Sequence, residues 1–122
     1  MLWAQVHLMA NRCDEERARV VMECTMEMRG YWSSTWKSRL FVLDSRGRIA
    51  YYKSREDKDA GVVAGEIAIS RECRVSFKET AEGRGYVDIH VPGNGKSSER
   101  AYHLSSCAAI CRTWALALEM ER

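Results

Sequence analysis

The chain has 122 residues, 46% of them hydrophobic, which suits one domain with a single core. One proline and the lack of long Ser/Gly tracts exclude extended disordered linkers. The net charge is only +2, but its distribution is uneven. The stretch from Arg29 to Arg55 contains seven basic residues and one acidic residue, so it carries +6 and the remainder of the chain −4. This asymmetry favours an anionic partner: a phosphate group, an acidic lipid surface or an acidic protein.

The cysteines and the hydropathy pattern indicate a cytoplasmic protein. Five cysteines are scattered along the chain without a CxxC pair, so a disulfide framework or a zinc ribbon is not expected and a reducing compartment fits better. The first residues lack the basic start of a signal peptide, and no apolar window has the length of a transmembrane helix. We therefore expect a soluble chain whose membrane contact, if any, is peripheral.

The first 21 residues are predicted to form an N-terminal helical extension. Their apolar positions recur at helical spacing, with an interruption at Glu16: Leu2, Val6, Met9, Cys13 and Val20. This stripe favours a helix on the flank of the domain over the end of a coiled coil, because it is too short to establish the latter.

From Met22 onwards the apolar period changes to two, which predicts half-buried strands for residues 22–104. A first strand at 22–32 and a tight connection lead to a second strand that begins near Trp36. The turn Asp44-Ser45-Arg46-Gly47 precedes a third strand at 49–52, and residues 53–60 are predicted as a loop. Further strands are expected at 65–69, 74–78, 86–91 and 99–104, with turns at 83–85 and 92–95.

The second strand carries two cations whose parity is informative. Lys37 and Arg39 alternate in step with Phe41 and Leu43, so all four side chains should leave the same face. Two unpaired cations cannot be deeply buried beside a core. They should therefore emerge at the open end of a barrel or sandwich, where an anion could meet them.

The C-terminal segment returns to helical spacing. Ser105 or Ser106 is predicted as the N-cap, and one face of the helix is apolar: Cys107, Ile110, Cys111, Trp114, Ala117 and Leu118. Such a helix can close one end of a bent sheet, with Trp114 in the core.

Residues from about 25 to 122 resemble a pleckstrin homology domain. The resemblance rests on Gly30-Tyr31-Trp32, on WKSRLFVL at 36–43, on IAYYK at 49–53, on GEIAI at 65–69, and on Tyr102-His103-Leu104 followed by a helix with Trp114. It implies a seven-stranded antiparallel barrel or sandwich capped by an α-helix over residues 22–122.

The resemblance also implies a site. Members of this family that bind phosphoinositides place a Lys at the end of the first strand and two basic residues on the second, and Lys37 and Arg39 are similar to the latter pair. Tyr52 resembles a third-strand Tyr that can donate to a phosphate, and Lys53 and Arg55 could add charge. Ser34 stands where the family's first Lys would be.

These features predict a non-catalytic module that targets a larger protein to phosphoinositide-containing or acidic membranes. The alternative is a protein–protein interaction or scaffold domain on the same fold, favoured by Ser34, with the N-terminal helix contributing to association. The pattern shows no nucleophile–base constellation, and no cofactor is expected. His103, Cys107 and Cys111 would share a helix face, but no fourth ligand is evident and His103 is predicted in the last strand, so no metal site is expected. Nucleic acid is not expected as a partner, since the aromatic strand signature of an RNA-recognition motif is missing.

Overall fold

A computed structural model describes residues 19–29, 34–93 and 99–122. Within them the chain forms seven strands and two helices: β1 (Val20–Arg29), β2 (Lys37–Asp44), β3 (Arg48–Tyr52), α1 (Arg55–Asp59), β4 (Gly65–Ala68), β5 (Arg74–Glu79), β6 (Arg84–Val91), β7 (Arg100–Cys107) and α2 (Ala108–Glu121). The predicted N-terminal helix lies outside the described residues, except for its last positions, which belong to β1.

All seven strands belong to one antiparallel sheet in the order β4-β3-β2-β1-β7-β6-β5. Strand β1 joins the two halves, because it pairs with β2 on one side and with β7 on the other. Strands β4 and β5 form the edges. The mainly-β prediction with a C-terminal helix is therefore confirmed, and the arrangement is compatible with a barrel-like sandwich.

The inner face of the sheet and one face of α2 form the core. The fully buried side chains include Phe41, Leu43, Ile89, Trp114 and Leu118. The indole of Trp114 packs edge-on against Phe41, with ring centroids 6.3 Å apart, and its Nε1 donates to Cys24 Sγ at 3.0 Å. The predicted core role of Trp114 is confirmed, since this large aromatic side chain is fully buried and contacts β1 and β2.

Glycines let α2 lie close to the sheet. A Cβ on Gly85 of β6 would come within 2.7 Å of Cys111 Cβ and 2.9 Å of Ala108 Cα, so only glycine allows the first turn of α2 to approach this closely. At the other end of α2, Gly47 closes the β2–β3 turn with a φ of 76° and lies against the backbone of Glu121. Helix α2 therefore covers the end of the sheet at which β2 ends and β6 begins.

Three predicted boundaries were wrong. The loop at 53–60 contains α1, which begins after Ser54, whose hydroxyl accepts from the amide of Asp57 at 3.1 Å. Gly85 is not in a turn but inside β6. The last strand continues to Cys107, so Ser105 caps no helix: its buried hydroxyl donates to the carbonyl oxygen of Gly85 at 2.8 Å and accepts from Arg84 Nε at 2.8 Å.

Candidate anion-binding site

Lys37 and Arg39 lie at the start of β2, on the inner face of the sheet. Lys37 pairs in register with Met28 and Arg39 with Met26, and both methionines belong to the core. Cross-strand partners project from the same face, so the predicted parity is confirmed. Lys37 is exposed and Arg39 half-buried, because this end of β2 is the end away from α2.

Neither cation is neutralised by a described acid. Within the part of the chain that the structure describes, Arg39 Nη1 donates to the main-chain oxygen of Ser38, at 2.8 Å. Across residues 19–29, 34–93 and 99–122, none of the seven ion pairs includes Lys37 or Arg39. Most of the guanidinium donors of Arg39 and the ammonium of Lys37 are thus available to an external anion.

The structure adds three residues that the sequence patterns did not single out. Tyr51 pairs with Phe41 across β3, so it shares the inner face. On β7, Tyr102 pairs with the core residue Ile89, and Arg100 pairs with Val91, which packs against the core. We call Lys37, Arg39, Tyr51, Arg100 and Tyr102 the open-end cluster.

Four members of the cluster lie close enough to influence one ionisation, namely that of Tyr51: the phenol itself, Tyr102, Arg100 and Arg39. Burial raises the pKa of the Tyr51 phenol above its ordinary value, and Tyr102 raises it further, while the positive charges of Arg100 and Arg39 lower it in part. The phenol therefore stays neutral at physiological pH and keeps its O–H as a donor. Two cations from opposite halves of the sheet act on one phenol, as needed to hold a multiply charged anion between them.

Tyr51 is positioned by a glycine. Its ring lies directly over Gly65, its partner on β4, and 5.7 Å from the Phe41 ring. A side chain at position 65 would occupy the space of the phenol, so the absence of a Cβ there leaves room for the Tyr51 hydroxyl.

The other predicted site residues are placed differently. Tyr52 pairs with Leu40, one residue out of step with Arg39, so it lies on the opposite face of the sheet. Arg55 forms an ion pair of 3.2 Å with Glu23, which Lys58 also contacts at 2.8 Å. Lys53 follows β3 directly and is exposed. Of the five predicted residues, the structure brings together Lys37 and Arg39, with Lys53 at the margin.

The basic stretch 29–55 does not form one surface. Arg46 and Arg48 lie at the β2–β3 turn, where their amides donate to Asp44 Oδ1 at 2.9 Å and 3.0 Å. This turn is separated from Lys37 by the length of β2, about 24 Å for eight residues. Arg29 lies over the Trp36 ring, 5.3 Å from its centroid. The local charge of +6 is thus divided between both ends of the sheet.

No family model matches this chain, and no curated protein matches it. Among the described residues, no helix is long and apolar enough to cross a membrane. The same residues contain no group of three or more His, Cys, Asp or Glu side chains that could hold a metal ion.

Proposed function

We propose that the chain is a non-catalytic binding module of the pleckstrin homology type, which brings a larger protein to phosphoinositide-containing or acidic membranes from the cytoplasm. Lys37 and Arg39 are the primary phosphate contacts, and Lys53 adds charge at the margin. The observation that carries this proposal is the open-end cluster: three cations and two phenols share the inner face at one end of the sheet, and no described ion pair satisfies Lys37 or Arg39.

The chemistry of the cluster suits a phosphorylated headgroup. A guanidinium binds phosphate oxygens with two parallel hydrogen bonds. An ammonium is a compact charge on a flexible side chain, so it can adjust its position to the phosphate. Arg39 and Lys37 supply one of each, side by side on β2. Tyr51, whose pKa is raised by burial, adds a neutral hydroxyl donor, and Arg100 approaches from β7. We infer that Tyr51 takes the role first assigned to Tyr52, because Tyr51 shares the face of Arg39.

A second candidate is a protein-interaction or scaffold domain with little specific lipid binding. Two observations favour it. Ser34 is an exposed hydroxyl where the family pattern has a lysine, and Arg55 is engaged by Glu23 on the surface of the sheet. In this reading the cluster binds acidic side chains of a partner, and the N-terminal segment contributes to association.

Sedimentation with phosphatidylcholine vesicles separates these candidates. Each phosphoinositide is added in turn at one mole fraction, beside vesicles in which phosphatidylserine supplies the same total charge, at about 0.1 M salt and at higher salt. Binding to one headgroup that persists at higher salt supports a defined phosphate site. Binding to all acidic vesicles that disappears with salt indicates a basic surface only. Absence of binding rejects the lipid proposal in favour of a protein partner.

A further inference from the structure

The first half of β1 has a strand partner on one side only. Residues 22–26 pair with β2 in an unbroken antiparallel register, whereas β7 pairs with β1 only from Glu27 to Arg29. Strand β7 continues for two residues beyond Ser105, the partner of Glu27, and then becomes α2. Among the described residues, no strand therefore lies on the other side of residues 22–26, and we call that side the β1 edge.

Main-chain groups at the β1 edge point away from the sheet. In an antiparallel ladder, successive residues of a strand direct their N–H and C=O groups alternately to one neighbour and to the other. Every second residue within 22–26 therefore directs both groups away from β2. Within the described segments, no main-chain hydrogen bond joins residues 22–26 to an element other than β2. An unpaired row of this kind is a template for another strand.

The inner side of the β1 edge is an apolar groove. It lies between β1 and α2, measures about 380 Å³, and is lined mainly by Met22, Cys24, Ile110, Thr113 and Trp114. Along the inner face of β1, Met22 and Cys24 are only half-buried, whereas Met26 is buried. The core is thus incompletely covered at the positions where β7 has left β1.

The outer side of the β1 edge is polar. Thr25, which alternates with the inner-facing residues, borders a second cavity of about 340 Å³. Glu27 and Arg84 line the same cavity and form an ion pair of 3.0 Å. A strand beside β1 would direct its side chains alternately to these two sides. The two sides therefore favour a segment in which apolar and polar side chains alternate.

We propose that the β1 edge binds an extended peptide segment of a partner protein, which adds a strand beside residues 22–26 in the place that β7 leaves. The main chain of this segment pairs with the outward-directed N–H and C=O groups of β1. Its apolar side chains enter the groove, and its polar side chains face the outer cavity. The β1 edge shares no residue with the open-end cluster, so this binding is separate from the anion binding proposed above.

Amide hydrogen exchange of the full chain, followed residue by residue by NMR, tests the proposal. The probe is a synthetic peptide of alternating valine and threonine, with lysine at each end and both termini blocked; valine and threonine both favour strands. Without the peptide, amides of residues 22–26 that point to β2 should be protected, and the intervening amides should exchange freely. With saturating peptide, the intervening amides should exchange at least about tenfold more slowly.

Two N-methylated peptides show whether main-chain pairing carries the binding. In a strand the amides of the valines point to one side and those of the threonines to the other. Methylation of one set should therefore abolish binding, and methylation of the other should preserve it.

A pair of protein variants tests the groove. Ile110→Glu places a charge in the groove and should weaken binding of the unmethylated peptide at least about tenfold. The matched control is Val62→Glu, at an exposed valine that lines neither cavity, and it should bind like the unmodified chain. Amides of β2 and β6 report whether the fold is intact. If Ile110→Glu disturbs them, Thr113→Glu in the same groove decides by the same criteria.

Several results would overturn the proposal. Absence of binding at about 1 mM peptide would do so, as would equal effects of the two N-methylated forms or undiminished binding by a folded groove variant. Protection of all amides in 22–26 without peptide would show that the β1 edge is already covered. Dependence of that protection on protein concentration would then identify a second copy as the occupant, and independence would identify another segment of the same chain.

Discussion

Charge reversal at the open-end cluster should abolish anion binding without unfolding the protein. The double variant Lys37→Glu, Arg39→Glu changes the net charge from +2 to −2. Its matched control is Arg46→Glu, Arg48→Glu, which makes the same change in net charge at the β2–β3 turn, at the opposite end of β2. Any effect of overall charge must therefore appear equally in both variants.

The structure sets the expected magnitudes. A hydrogen bond to a charged group contributes about 1.5–3 kcal/mol, so the loss of two such groups should weaken binding by at least about 100-fold. The control residues lie about 24 Å from Lys37, more than two Debye lengths at 0.1 M salt, so their reversal should weaken binding by no more than about threefold. The thermal stability of the Lys37→Glu, Arg39→Glu variant should change little, because neither residue forms any of the described ion pairs.

The assay is titration of the vesicles that bind best, with thermal unfolding measured on both variants. Equal losses in the two double variants would refute the site and leave only a diffuse basic charge. Undiminished binding by a folded Lys37→Glu, Arg39→Glu variant would exclude these side chains as phosphate contacts. If no vesicle binds, the same pair of variants is applied to the protein partner.

Three further predictions concern the fold. Gly85→Ala should lower the free energy of unfolding by about 1–3 kcal/mol in denaturant titration, because its methyl group would force the first turn of α2 away from β6. Glu23→Gln should lower stability at pH 7 by about 0.2–1 kcal/mol. The hydrogen bond from Lys58 holds the pKa of Glu23 below its ordinary value, so this difference should be present above about pH 4.5 and vanish as pH falls through the lowered pKa. Iodoacetamide should alkylate the exposed Cys107 faster than Cys24, since burial raises the pKa of Cys24.

Each of these predictions has a contrary outcome. An unchanged denaturation midpoint for Gly85→Ala would mean that α2 does not approach β6 as closely as the structure shows. A stability difference for Glu23→Gln that does not decline as the pH is lowered below 4.5 would assign the effect to packing instead of the ion pairs. The alkylation rate of Cys24 is measured in a Cys107→Ser variant and compared with that of Cys107 in the unmodified chain. Equal rates would show that burial does not protect Cys24.

The sequence alone predicted the order and type of most elements. Alternation of period two followed by helical spacing is a local property, and each pattern demands one buried face. The parity of Lys37 and Arg39 with Phe41 was likewise local, because two-residue periodicity in one strand needs no knowledge of its neighbours. Trp114 could be placed in the core for the same reason.

The register between strands was decided by the tertiary structure. In the pair Tyr51-Tyr52 either side chain could share the face of Lys37 and Arg39, and only the pairing of Phe41 with Tyr51 settles that it is Tyr51. Arg100 and Tyr102 join the cluster through β7, about sixty residues later in the chain, so no local pattern could have found them. The engagement of Arg55 by Glu23 also depends on a contact between distant segments.

Gly85 and Ser105 have roles that depend on residues distant in the sequence. Gly85 lies in a turn-like sequence, yet its function is to admit α2 against β6, which depends on a helix that begins 23 residues later. Ser105 has the chemistry of an N-cap, but its hydroxyl is used by Gly85 and Arg84 on the neighbouring strand, so β7 continues through it. Local sequence determines which conformations each segment can adopt, whereas packing between segments selects among them, because burial and hydrogen bonding depend on neighbours that only the folded chain brings together.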